Sequence, residues 1–128
     1  MLDHIGVSVS DFATSRDFYA HALAALGLQK LMEYEDPDGR PQAGFGAGGK
    51  PFFWIGGSDR PRGGTHIAFE AESRAEVEEF YKAAIEAGGR DNGGPGLRPH
   101  YHENYYGAFV LDPDGNNIEA VCHHAPAR

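Results

Sequence analysis

Apolar and polar residues alternate in two stretches of this sequence, Leu2 to Val9 and Thr65 to Glu70. Ile5, Val7 and Val9 share one side of the first, and Ile67 and Phe69 share one side of the second. A period of two predicts strands half-buried on their apolar side. Behind each stretch the spacing changes to three and four. In the second case Val77, Phe80, Tyr81, Ala84 and Ile85 follow Ser73 and Glu76 in capping-box spacing, and Gly88-Gly89 ends the pattern, which predicts an amphipathic helix. In the first case Phe12, Tyr19, Leu23 and Leu26 make a weaker stripe that starts near Ser10 or Asp11 and stops at Gly27. Three more strands are predicted after each helix: 29–34, 42–45 and 51–56, then 90–92, 105–111 and 117–123. Asp36-Pro-Asp-Gly39, Gly46-Ala-Gly-Gly49 and Asp112-Pro-Asp-Gly115 read as turns. Residues 93–104 have no period and carry Pro95, Pro99, His100 and His102, which predicts a loop lying over a site.

The two halves are copies. Displacing the chain by 62 residues aligns His4-Ile5 with His66-Ile67, Phe18-Tyr19 with Phe80-Tyr81 and Gly27 with Gly89, giving eight identities in twenty-four ungapped positions. The expectation is an α+β fold of two βαβββ modules, about 1–62 and 63–128, in a single domain, since 128 residues suffice for one core.

Composition narrows the partners. The net charge of −8 repels phosphate backbones and anionic headgroups, so neither nucleic acid nor a membrane is expected. One cysteine, Cys122, forms no internal disulfide, and no stretch is apolar over the ~18 residues a membrane helix needs, so a cytoplasmic protein is expected.

Side-chain alternation then sorts the polar residues. His4 lies on the opposite face from Ile5, Val7 and Val9, beside Gly6, and His66 lies opposite Ile67 and Phe69, beside Ala68. On the last strand Glu119 lies opposite Ile118 and Ala120. If both sheets curve round one hollow, two imidazoles and a carboxylate converge there. Such a trio suits a divalent iron, manganese, nickel or zinc ion and leaves open positions for water and substrate.

Several segments together resemble one superfamily. They are Leu2-Asp-His-Ile-Gly-Val7, Phe18-Tyr19 with Leu26-Gly27, Thr65-His-Ile-Ala68 and Phe109-Val-Leu-Asp-Pro-Asp-Gly-Asn-Asn-Ile-Glu119. They resemble the vicinal oxygen chelate superfamily of glyoxalases, bleomycin-resistance proteins and extradiol dioxygenases, over essentially the whole chain. The resemblance implies a cup-shaped mixed sheet with helices on its outer face and one divalent metal held by His4, His66 and Glu119. It also implies a small-molecule substrate chelated through neighbouring oxygens, and a homodimer.

Three departures bear on the reaction. Trp54 stands where a glyoxalase I has a fourth, carboxylate ligand that moves protons; Phe109 stands where the dioxygenase signature has a catalytic Tyr; Gly6 stands where fosfomycin-resistance transferases have Thr. His102 and Tyr106 are the expected proton movers, Tyr106 because its strand parity, opposite to that of Phe109, is expected to turn it into the cavity. Trp54 and His100 are expected against the substrate. A glyoxalase-like lyase or isomerase and an extradiol-type dioxygenase both stay open. The alternatives are a metal-free protein that sequesters a small molecule or drug, as bleomycin-resistance members do, and a fosfomycin-resistance-like transferase.

Overall fold

The protein is described by a computed structural model over residues 2–59 and 63–126; the module boundary expected near residue 62 lies outside the described residues. The two alternating stretches become β1 (Ile5–Val9) and β5 (His66–Glu70), each burying its apolar side. The helices begin where side chains can cap them. At α1 (Phe12–Ala24) the Asp11 carboxylate accepts the Thr14 N–H at 3.1 Å, and at α2 (Arg74–Glu86) Ser73 Oγ accepts the Glu76 N–H at 3.1 Å. The return arm of the expected box lands one residue early, since Glu76 Oε1 takes the Glu72 N–H at 3.4 Å.

In the first module β2 (Gln29–Glu35), β3 (Pro41–Ala47) and β4 (Lys50–Gly57) complete a sheet in the order β1-β4-β3-β2, with β1 parallel to β4 and the other pairs antiparallel. The second module repeats this with β6 (Arg90–Asp91), β8 (Tyr106–Leu111) and β9 (Asn117–Cys122) in the order β5-β9-β8-β6, β5 being parallel to β9. A further two-residue strand from the long loop, β7 (Gly96–Leu97), also pairs with β8. Two residues are too few to show a period in the sequence. The two modules thus give two mixed sheets with two helices, as the βαβββ reading expects.

One core serves both sheets. α1 packs on α2, and Phe18, Tyr19, Phe45, Phe53, Phe69 and Phe80 are buried together, with the Phe53 and Phe69 rings edge to face at 5.3 Å. Gly89 is required by this packing, because a Cβ there would stand 2.4 Å from Val110 and 2.8 Å from Phe18. No described helix is long and apolar enough to cross a membrane.

The two Asp-Pro-Asp-Gly sequences build the same turn. Asp36 Oδ1 accepts the Asp38 and Arg40 N–H groups at 2.9 and 2.9 Å, and Asp112 Oδ1 accepts those of Asp114 and Asn116 at 2.9 and 2.8 Å. Their settings differ. Asp112 is fully buried, and its Oδ2 accepts the Asn116 side-chain amide at 2.8 Å and the Tyr19 hydroxyl at 2.5 Å. Asp114, from the same turn, accepts the Ser10 N–H with both carboxylate oxygens, at 3.2 and 3.1 Å. A turn of the second module is thereby tied to α1 and to the end of β1.

Burial, and then the neighbouring Asp112 charge, push the Tyr19 phenol well above its ordinary range. The raised value favours the protonated fold. Its contribution is complete below pH about 10 and is lost above it, where the unfolded chain ionises first. Tyr19→Phe should therefore lower unfolding free energy by about 1.5–3 kcal/mol at neutral pH, the range for a hydrogen bond to a charged group. It should also flatten the alkaline decline in stability, as urea titrations at several pH values would read.

Candidate functional site

Across β5, β9 and β8 the register pairs His66 with Asn117, Ala68 with Glu119, and Phe109 with Glu119. Paired residues share a face, so His66, Ala68, Asn117, Glu119 and Phe109 stand together on the side turned away from the core. Ala68 is small, which lets the imidazole lean along the face. His66 Nε2 comes 3.1 Å from Glu119 Oε1.

A chain of polar contacts fixes the imidazole. Asn92 Nδ2 donates to Asn117 Oδ1 at 3.1 Å, which leaves the Asn117 amide nitrogen to donate to His66 Nδ1 at 2.6 Å. With Nδ1 accepting, the proton sits on Nε2 and is donated to Glu119. The Tyr105 hydroxyl donates to the other carboxylate oxygen, Oε2. Glu119 is thus 2 % exposed yet met at both oxygens, as a buried carboxylate requires. Burial, followed by the bond to Glu119, pushes the Tyr105 phenol above its usual range.

Gly107 makes room for this contact, since a Cβ there would stand 3.2 Å from the Tyr105 ring and 3.3 Å from Glu119 Oε2.

The separation of His66 Nε2 and Glu119 Oε1 suits two adjacent ligands of one cation once the proton on Nε2 is displaced. Nitrogen and oxygen donors each about 2.1 Å from an ion and at right angles lie about 3 Å apart, close to the His66–Glu119 separation. The expected third ligand is not gathered with them. His4 is exposed, with Nδ1 2.8 Å from Asp3 Oδ1, and Asp3 is itself paired with Lys50. Among the described residues no three His, Cys, Asp or Glu side chains are close enough to hold a metal ion. His4 and His66 do line one cavity of about 290 Å³, with Ile5, Phe52, Phe53 and Ala68.

Trp54 stands on the His4 face, opposite Gly6 in the β1–β4 register. Its indole lies over Gly44, where a Cβ would come within 2.8 Å of the ring, and the Tyr34 ring meets it edge-on at 6.0 Å. It walls a cavity of about 380 Å³ with Gly6, Ser8, Arg40, Gln42 and Gly56.

The long loop contributes aromatic rings. His100 packs on Tyr101 at 4.2 Å, and Tyr101 on Tyr105 at 4.8 Å. His102 Nε2 lies 2.7 Å from His123 Nδ1, and both imidazoles meet the Tyr105 ring edge-on at 5.4 Å. His102 therefore touches Tyr105 rather than Glu119.

Tyr106 is a correction. The register puts Phe109 and Gly107 on the Glu119 face, so the opposite parity turns Tyr106 towards α2, where its hydroxyl donates to Glu78 Oε2 at 2.6 Å and its ring stacks under Arg74 at 5.0 Å. Tyr105 occupies the place expected of it. Alternation counted from Glu119 across the β8–β9 pair, together with the small Gly107, is the signal that would have found Tyr105. Nothing local in the sequence marks His123, which meets the loop only after folding.

Residues 1–120 match the sequence profile of the Glyoxalase/Bleomycin resistance protein/Dioxygenase superfamily, and the chain belongs to that superfamily. A search of curated protein sequences finds no significant match. Among solved structures, a glyoxalase/bleomycin resistance protein from Albidiferax ferrireducens is 25% identical with a TM-score of 0.73, over 95% of this chain and 98% of that one. A glyoxylase/bleomycin resistance protein/dioxygenase domain from Frankia sp. is 16% identical with a TM-score of 0.74, over 97% of this chain and 98% of the other. Glyoxalase I from Zea mays is 20% identical with a TM-score of 0.74; the match covers 98% of this chain but only 45% of that protein. The last two similarities are of fold.

The geometry separates the neighbouring tyrosines. Tyr105→Phe leaves one oxygen of a buried carboxylate unmet and should cost about 1–3 kcal/mol, whereas Tyr106→Phe, bonded to an exposed Glu78, should cost less than about 0.5 kcal/mol. Paired thermal and denaturant unfolding of the two variants checks this.

Proposed function

We propose that this protein is a divalent-metal-dependent enzyme of the glyoxalase and dioxygenase group, acting on a small organic molecule with two neighbouring oxygens. The observation that carries the reading is the buried Glu119 carboxylate, held 3.1 Å from His66 Nε2 on a face turned away from the core. His66 and Glu119 are the proposed ligands, with His4 the third. A divalent ion bound there supplies Lewis-acid stabilisation of negative charge on the substrate oxygens.

The protein's own residues do the rest. With an ion on Nε2 the His66 proton would sit on Nδ1 and the Asn117 amide would turn its oxygen to accept it, while Tyr105 holds Glu119 by the oxygen turned away from His66. Tyr105 is also the proposed proton carrier on this face in place of Tyr106, and His102, whose imidazole meets the Tyr105 ring edge-on, is the proposed second proton mover. Trp54 is the proposed wall for the substrate, and His100, in the loop above Tyr105, its proposed outer contact.

His4 stands outside the His66–Glu119 contact and half of the His66 side chain is open, which supports completion of the site by His4 from a second copy of the chain. Titration with manganese(II) should give one tight site per chain, and His66→Ala or Glu119→Ala should weaken it by more than about 100-fold, since even partners one step removed from a metal cost 10–100-fold. His4→Ala and Glu119→Gln chains, each impaired alone, should regain one site per pair when mixed. Failure of the mixture to regain metal would mean that each chain supplies its own third ligand.

A second reading is favoured by the indole-walled cavity: metal-free capture of a planar molecule against Trp54. Absence of manganese(II), zinc(II) and iron(II) binding by the intact protein would select it.

A further inference from the structure

We infer that Arg98 is an anion-recognising residue of the Glu119 face and that the molecule bound there carries a carboxylate. This rests on the proposal that this face receives the substrate, and extends it by naming a chemical class.

Arg98 follows β7 and is pinned to the site by its backbone: its N–H donates to the Tyr105 carbonyl at 2.7 Å, and its carbonyl accepts from Tyr101 at 2.9 Å. The guanidinium lies over the Phe109 ring, 5.4 Å from its centre. Phe109 is the residue paired with Glu119, and its ring is 6.3 Å from that of His66. Two glycines shape the slot: Cβ atoms at Gly93 and Gly96 would each stand 3.2 Å from a terminal guanidinium nitrogen. One N–H is used internally, from Nη2 to the Gly94 carbonyl at 2.8 Å. The other guanidinium N–H groups have no protein acceptor among the described residues.

A half-buried arginine in a chain with 19 acidic residues ordinarily finds a carboxylate. This one is instead held over an aromatic ring with most of its fork free. A guanidinium binds a carboxylate through two parallel N–H···O bonds, and the ring contact and the bond to the Gly94 carbonyl restrain this one in advance, so little rotamer freedom is lost on binding. The net charge of −8 sharpens the point, because an organic anion approaching this protein needs a local cation to stay. The charge of Arg98 already acts on the Tyr105 phenol, opposing its upward shift.

The test uses the full chain stripped of metal, so that no carboxylate–metal bond contributes, with para-fluorobenzoate and its neutral counterpart para-fluorobenzamide as probes followed by fluorine NMR. The acid should bind at least about tenfold more tightly than the amide, and Arg98→Met and Arg98→Gln should bring the two to within about twofold while the amide's own affinity stays unchanged. Circular dichroism identifies which of the two variants is folded, and either one suffices. Equal binding of acid and amide by the unsubstituted protein, or a preference that survives in a folded variant, overturns the inference. An acid preference that the Arg98 variants lose, in protein that takes up no manganese(II), supports the role of Arg98 and sinks the metal proposal alone.

Discussion

Burying a carboxylate costs several kilocalories unless its lone pairs are met, and Asp112 meets that condition with two backbone N–H groups, the Asn116 amide and the Tyr19 hydroxyl. The hydroxyl comes from the other module. The carboxylate therefore does two tasks: its Oδ1 closes the turn between β8 and β9, and its Oδ2 fixes that turn against α1. β9 begins immediately afterwards, so the height and direction at which Glu119 leaves the sheet follow from where Asp112 is held. Everything described about the second module's open face depends on that placement.

Glu119 repeats the device in a different setting. Its two oxygens are divided between His66 and Tyr105, so the carboxylate is ordered without an internal cation. The small residues around it, Ala68 and Gly107, provide the space that the larger groups use. The first module has the same economy, with Gly44 lying beneath Trp54 and Gly56 beneath Gln42. On both open faces glycine and alanine are the floor, and aromatic or polar side chains from neighbouring strands lie across it.

Much of this was legible in the chain. The period of two in Ile5-Gly6-Val7-Ser8-Val9 assigned the faces of β1, and the 62-residue repeat carried the assignment to His66 and Ile67. The cap residues Asp11 and Ser73 marked the helix starts because their side chains meet N–H groups only three residues away. What was not legible depends on long range. Parity within one strand does not say which side faces Glu119; that needs the antiparallel register of β8 with β9, and without it Tyr106 and Tyr105 exchange places. The pairing of His102 with His123 joins residues whose neighbours have no common period.

The chain contains a single tryptophan, and that indole is the wall of the first module's cavity. Its ultraviolet emission is consequently an intrinsic reporter of one place. A ligand that settles over Gly44 changes the solvent around the ring and shifts or quenches that light directly. If the substrate of the proposed site rests against that indole, the same emission reports its arrival in unlabelled protein.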